Sequence, residues 1–281
     1  HEPMFADNDA SPVETLERWA SSTANSAVAG KLATATREPA FWGELYAGRQ
    51  KYQTRSSRSG LESCTTGVMM GVHYPIGADL LVGLMLGYER NNFDISHSGG
   101  HGDMDSLRFG PYASKRFGPW VVDASVTVGF HWTDYTRTVN PSASAHARYQ
   151  SCDITGSLTV GRDFQVCPDT IVTPYATLMY TYMNQEGFKE SGAMHDILAY
   201  KSIQETALTT YLGARCRRKT ALFGQAVLLT GNLALARQCF FGDESVSASY
   251  VHPNGFGLGS SQSVGRGSRY FVTYGLGVEM P

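Results

Sequence analysis

The sequence predicts an all-β fold, a transmembrane antiparallel β-barrel with an N-terminal α-helix in the pore. Three observations predict it. Only 17% of the 281 residues are charged, against about 25% in an ordinary soluble domain. Gly, Tyr and Phe are abundant, at 30, 15 and 13 residues. The mean hydropathy is nonetheless −0.22, and no run of about 18 apolar residues occurs, which excludes a helical membrane protein. A wall of strands that alternate lipid-facing and lumen-facing residues reconciles these properties, because alternation keeps the mean hydropathy low. The formal net charge of −2 excludes nucleic-acid binding driven by bulk positive charge. A hydrophobic share of 42% excludes an acidic disordered chain.

Residues 1–12 are polar and read as a linker. No basic stretch precedes an apolar stretch there, so any export signal is expected upstream. Ser11-Pro12-Val13-Glu14 reads as a helix start: Ser11 caps, Pro12 suits the first helical position and Glu14 closes the capping box. The helix is expected over 13–37. Ala20, Ser21, Ser22, Ala24, Ser26, Ala27, Ala29, Gly30 and Ala33 make it slender, without the apolar stripe that docks on a core. About 25 residues at 1.5 Å each span roughly 37 Å, about the height of a bilayer. Such a rod suits a narrow pore; a solvated N-terminal helix is the alternative.

Beyond Pro39 the period changes to two, and residues 38–281 read as the barrel. A first strand is expected near 42–51. Leu80, Val82, Leu84, Leu86 and Tyr88 then oppose Gly83, Met85, Gly87 and Glu89. Leu107, Phe109, Pro111 and Ala113 oppose Arg108, Gly110, Tyr112 and Ser114. The clearest strand is 120–132, where Trp120, Val122, Ala124, Val126, Val128, Phe130 and Trp132 share one face. A Trp at each end of an apolar face is the aromatic-girdle arrangement, with rings at both headgroup layers. Cys152, Ile154, Leu158 and Val160 continue the pattern, as do Val172 to Tyr182 and a last strand near 270–280. Ten strands are expected in all. Short turns are expected at 74–77, 117–119 and 217–220. Longer loops are expected at 53–62, 95–102, 138–145, 186–197 and 237–267, facing outside as such loops do. Parity places Glu44, Glu89, Arg108, Asp123, Asp153, Glu205 and Arg215 toward the lumen.

The slender helix Thr23-Ala-Asn-Ser-Ala-Val-Ala-Gly-Lys-Leu32 is followed by Phe41-Trp-Gly-Glu-Leu-Tyr-Ala-Gly-Arg49. Further on come Pro174-Tyr-Ala-Thr-Leu178, Gln185-Glu-Gly-Phe-Lys-Glu-Ser-Gly-Ala193 and Ser245-Val-Ser-Ala-Ser-Tyr250. In that order, over about 13–280, these segments resemble the translocator domain of the autotransporters of type V secretion. The resemblance implies an outer-membrane barrel of a Gram-negative-type bacterium that anchors an N-terminal passenger and exports it to the cell surface. It implies as partners the upstream passenger, outer-membrane lipid, the barrel-assembly machinery and periplasmic chaperones, with the barrel a monomer and no nucleic acid bound. Some family members cut the passenger free through an Asn in the pore helix, assisted by acidic lumen residues. Asn25 is the only Asn on the helix here; a polar side chain bonded to the pore wall is the simpler reading, so no catalytic activity is expected.

Family barrels have twelve strands and end in an aromatic residue, whereas this chain ends Glu279-Met280-Pro281. One reading is that the last hairpin is missing and that 244–261 extends an outer loop. The other is that 244–251 and 254–261 are that hairpin, although about eight residues fall short of the 9–11 needed to cross.

Other chemistry finds little support. His97 and His101 flank a Gly-Gly pair in a loop, but this reads as a solvated loop and not a metal site. No cofactor is implied. Gly255 to Ser261 is Gly-rich but does not lie between strand and helix, so it is no phosphate loop. A porin and a barrel-type lipid hydrolase remain alternatives; the second needs a Ser and a His on the outer face, and His131 faces inward by parity. The five cysteines match no zinc pattern. Cys167 and Cys216 are expected at the periplasmic ends of neighbouring strands, close enough to pair.

Overall fold

The computed structural model describes residues 39–52, 61–95, 100–140, 143–192, 197–222, 225–242, 245–250, 259–263 and 269–279. The expected linker and helix, and Asn25 with them, lie outside the described residues. Fifteen strands follow one another: β1 (Ala40–Tyr52), β2 (Leu61–Ile76), β3 (Leu80–Ile95), β4 (Gly100–Phe117), β5 (Trp120–Asn140), β6 (Ala143–Arg162), β7 (Phe164–Cys167), β8 (Thr170–Gln185), β9 (Phe188–Lys189), β10 (Leu198–Tyr200), β11 (Ile203–Leu222), β12 (Gln225–Gly242), β13 (Ser245–Tyr250), β14 (Gly259–Ser263) and β15 (Arg269–Glu279).

Ten of them form one curled antiparallel wall in the order β1-β2-β3-β4-β5-β6-β8-β11-β12-β15, with β7 paired to β8 at one end. Successive strands are neighbours throughout, the pattern of an up-and-down meander. Turns at one end are tight: Gly77 and Gly118 take φ of 70° and 58°, a left-handed conformation that costs glycine little. The other end carries the longer connections. Several strands reach past the ends that local composition suggests. Residues 138–140 and 143–145 continue β5 and β6, and β11 runs through the expected turn at 217–220 to Leu222. Those polar residues are extended because each is paired, Arg217 with Thr230 and Thr220 with Val227.

The two faces of the wall are inverted relative to a soluble protein. Trp120, Val126, Phe130 and Trp132 are exposed on the outer face, as are Leu84, Leu86, Phe109, Ile154, Leu158, Leu178, Leu212 and Leu235. Glu89, Arg108, His131, Asp153, Thr181 and Arg215 are buried on the inner face. Trp120 and Trp132 lie on one strand, 46% and 45% exposed. Their separation is roughly 40 Å along the strand, or about 30 Å once a barrel tilt near 40° is allowed for. That matches the hydrocarbon core of a bilayer.

The abundant glycines have a steric cause on the inner face. Tyr46 lies over Gly67, where an added Cβ would sit 2.3 Å from its ring. Trp42 covers Gly71 and Tyr112 covers Gly83 in the same way. A large inward side chain on one strand thus lies flat across its neighbour, and the neighbour must lack a side chain at that point.

Residues 245–250 and 259–263 are not part of the wall. Strands β13 and β14 pair with each other, and β13 pairs with β10, giving a second sheet in the order β14-β13-β10-β9 at the long-loop end. The stretch is therefore a hairpin on the outer-loop side, and it supplies no crossing strand. Among the described residues the wall begins at β1 and ends at β15. The expected Cys167–Cys216 pair is also corrected. All five cysteines are free thiols. Cys167 is on β7 and Cys216 on β11, with β8 between them. Two strand spacings and an offset of two residues put their backbones roughly 12 Å apart, beyond the reach of a disulfide.

Candidate functional site: the charged inner face

The inner face is organised around one rung that crosses three strands. Arg108 of β4 stands opposite Gly129 of β5, which stands opposite Asp153 of β6. Because Gly129 has no side chain, the Arg108 guanidinium passes over β5 and meets Asp153. A Cβ at Gly129 would lie 2.6 Å from the Arg108 nitrogen and 2.2 Å from the Asp153 oxygen. The pair is bidentate, with Nη1 donating to Oδ1 at 2.8 Å and Nη2 to Oδ2 at 2.5 Å. Arg108 also donates to Thr127 at 3.0 Å.

The next rung toward the long loops adds Ser106 and His131. His131 Nε2 is 2.6 Å from Asp153 Oδ2 and its Nδ1 is 2.8 Å from Ser106 Oγ. The carboxylate only accepts, so Nε2 carries the hydrogen; in the neutral ring, Nδ1 then accepts from the Ser106 hydroxyl. The order Ser, His, Asp is that of a nucleophilic triad, but the surroundings differ. Ser106 is 2% exposed. Asp153 is already held by Arg108, and the strand backbone is committed to the β3 and β5 ladders. Among the described residues the backbone donors beside the hydroxyl are committed to these ladders, so none is left there to receive an oxyanion. The chain is a polar brace, completed by Thr155 donating to Asp153 at 3.1 Å.

A second group lies near the short turns. Asp163 accepts from Arg217 at 2.9 Å and from Thr173 at 2.5 Å, and Arg116 is 3.1 Å away. Asp123 and Arg215 line the same recess, and Arg215 lies over the Tyr175 ring. Tyr175 in turn donates to Asn232 at 2.7 Å. Toward the wall edge, Tyr46 donates to Glu89 at 2.9 Å.

At the long-loop end residues 186–192 and 197–200 lie against the inner face of β5 and β6. Arg137 reaches Glu190 with two bonds, at 3.0 and 2.6 Å, and Glu190 also accepts from the Leu198 backbone N–H. Phe188 is stacked between Tyr149 and Tyr200 at 4.3 and 4.5 Å. Burial opposes the charge on Arg137, but the Glu190 carboxylate outweighs it and raises the guanidinium pKa. Burial, with Glu190 nearby, also raises that of the Tyr200 phenol.

The structure places Glu44 and Glu205 at inner-face positions of β1 and β11, and Asp123 beside the second cluster. Arg108 and Asp153 come together; Glu89 and Arg215 belong to separate groups. Sequence reading placed His131 inward but gave it no partner, and it missed Ser106, Arg137, Asp163, Glu190 and Arg217. Glu190 and Arg217 fell in stretches read as a loop and a turn, and the partners of all of these residues depend on register between segments about 20 to 55 residues apart.

Residues 41–281 match the family model described as the autotransporter beta-domain. The chain belongs to the autotransporter β-domain family. It is an outer-membrane translocator domain of the Gram-negative type, the part that exports a passenger. An extracellular serine protease of Serratia marcescens is 28% identical over 206 residues, covering 70% of this chain and 19% of the relative. Outer membrane protein B of Rickettsia japonica is 24% identical over 165 residues, covering 54% and 10%. The chain thus spans a fifth or less of these relatives. The translocator domain of NalP from Neisseria meningitidis superposes with a TM-score of 0.68 at 13% identity, over 97% of this chain and 99% of that one. The β-domain of the Bordetella autotransporter BrkA gives 0.57 at 19% identity, over 86% and 95%. Both likenesses concern the fold.

Proposed function

We propose that this translocator domain is a non-catalytic anchor whose lumen holds the 13–37 segment as a helix once the passenger is outside. Residues 1–12 link that helix to the passenger. Glu44, Glu89, Arg108, Asp123, Asp153, Glu205 and Arg215 line the path, giving a translocating chain polar contacts on every side. The observation that carries this reading is the inverted wall, with exposed apolar side chains outside and ionised, braced side chains inside. The backbone edges of β1 and β15 need partners in hydrocarbon, so we read the wall as closed by further strand pairing into a monomeric barrel. The barrel-assembly machinery and periplasmic chaperones deliver it. Asn25 is a helix residue bonded to the wall, and the passenger is not cut there.

Deleting residues 1–37 and recording single-channel conductance in planar bilayers tests the arrangement. A plugged lumen conducts little until the segment is removed, and conductance then rises sharply. Equal conductance with and without the segment overturns the plug and favours a simple porin. Mass spectrometry of the folded, passenger-bearing protein tests the second point, and a chain cut beside Asn25 refutes it. The lipid-hydrolase reading draws no support from His131, which is 1% exposed and on the inner face.

A further inference from the structure

The outer face is electrostatically asymmetric. Near the long loops, outward arginines have carboxylate partners on the adjacent strand. Arg49 pairs with Glu62, Arg90 with Asp103 at 3.6 Å and Arg148 with Asp134 at 2.7 Å. Arg237 at that end lies instead over the Tyr270 ring, at 5.6 Å. Near the short turns two outward cations, Lys115 and Arg162, rest on aromatic rings instead. The Arg162 guanidinium lies 5.5 Å from the Trp120 ring centre and 5.0 Å from that of Phe164. Lys115 Nζ is 4.9 Å from the Phe117 ring centre. Among the described residues no carboxylate lies within ion-pair distance, 4.0 Å, of Lys115 or Arg162.

The register brings these groups together. Phe117, Trp120 and Arg162 form one rung across β4, β5 and β6, and Lys115 lies two residues from that rung on β4. Two strand spacings and two residues put the Lys115 and Arg162 backbones roughly 12 Å apart. Both side chains are long enough to lean toward a common point above the Phe117–Trp120 pair. Apolar wall lies on one side of that point, with Val122 and Val160 on the Lys115 rung. Water lies on the other side, beyond the turn at Gly118.

We propose that Lys115 and Arg162 form a binding site for the phosphate headgroup of an anionic phospholipid in the leaflet on the short-turn side. The acyl chains lie along the Val122–Val160 wall, and the headgroup rests over Phe117 and Trp120 between the two cations. Guanidinium and ammonium groups suit a phosphodiester. Stacking on rings holds them at the interface without neutralising them. A zwitterionic headgroup leaves one positive charge facing two others, so the site discriminates by net lipid charge. The inference rests on the wall's lipid-facing position and not on passenger export, so it stands or falls independently of the plug.

Native mass spectrometry of the folded chain, incubated with equal amounts of phosphatidylglycerol and phosphatidylcholine, tests this. Retention of phosphatidylglycerol is expected to exceed that of phosphatidylcholine roughly tenfold, and the preference is expected to disappear in the Lys115→Gln/Arg162→Gln variant. The control Arg90→Gln/Arg148→Gln variant, at the opposite rim, keeps it. Equal retention by the unaltered chain overturns the proposal. So does a preference that survives the first variant, or one lost equally in the control. Heat-modifiable migration checks folding, and the single variants at 115 and 162 replace the double one should it not fold.

Discussion

Asp153 is the residue on which the inner face turns. It accepts from Arg108, His131 and Thr155 while 3% exposed. Truncating one member of a buried ion pair leaves the other uncompensated, at a cost of about 3–5 kcal/mol. Asp153→Ala is therefore expected to lower unfolding stability in detergent by that amount, measured by urea titration. Arg108→Met with Asp153→Met is expected to recover most of it, because no charge remains buried. Gly129 makes the same point through shape. Gly129→Val places a branched side chain where the guanidinium passes, so its loss should rival that of Asp153→Ala in the same titration. Parity marked Arg108 and Asp153 as inward residues but left their bond unseen. Nothing local tells Arg108 which of the inward acids it meets; the β4–β5 and β5–β6 registers decide that, and Gly129 permits it.

Strands were legible where alternation was strict, as at 120–132, because period two is imposed by the pleat itself. Their outer ends were not, because beyond the lipid both faces turn polar and a strand reads like a loop. The β5–β6 extension shows this, and so does the small sheet of β9, β10, β13 and β14. Ser245 to Tyr250 alternates weakly and is too short to cross, which fits its place as a flap on the outer-loop side. The segment bearing β9 and β10 is held to β5 by Arg137 and Glu190. Glu190→Ala is expected to release it. Limited proteolysis should then cut within 186–200 at least several-fold faster, with the wall strands intact. An unchanged rate would mean that the Tyr149–Phe188–Tyr200 stack holds the segment by itself.

At the scale of the whole wall, lipid contact sets the tolerance of each outward position. Val126 lies midway between Trp120 and Trp132. Val126→Arg is expected to destabilise the inserted protein by about 2–4 kcal/mol, while the same change near a girdle costs about 1 or less. Reversible unfolding from lipid vesicles measures both, and equal costs at the two depths would argue against a bilayer around this face. Low charge and low mean hydropathy coexist because each strand divides its apolar residues onto one side only. That division has a consequence for the journey before the fold exists. An extended chain of mean hydropathy −0.22, with no continuous apolar run, offers nothing that a helix-reading insertion gate retains. Its hydrophobicity appears only when strands pair and the alternate residues line up as a surface. The membrane address is therefore concealed during transit and written by hydrogen bonding at the destination.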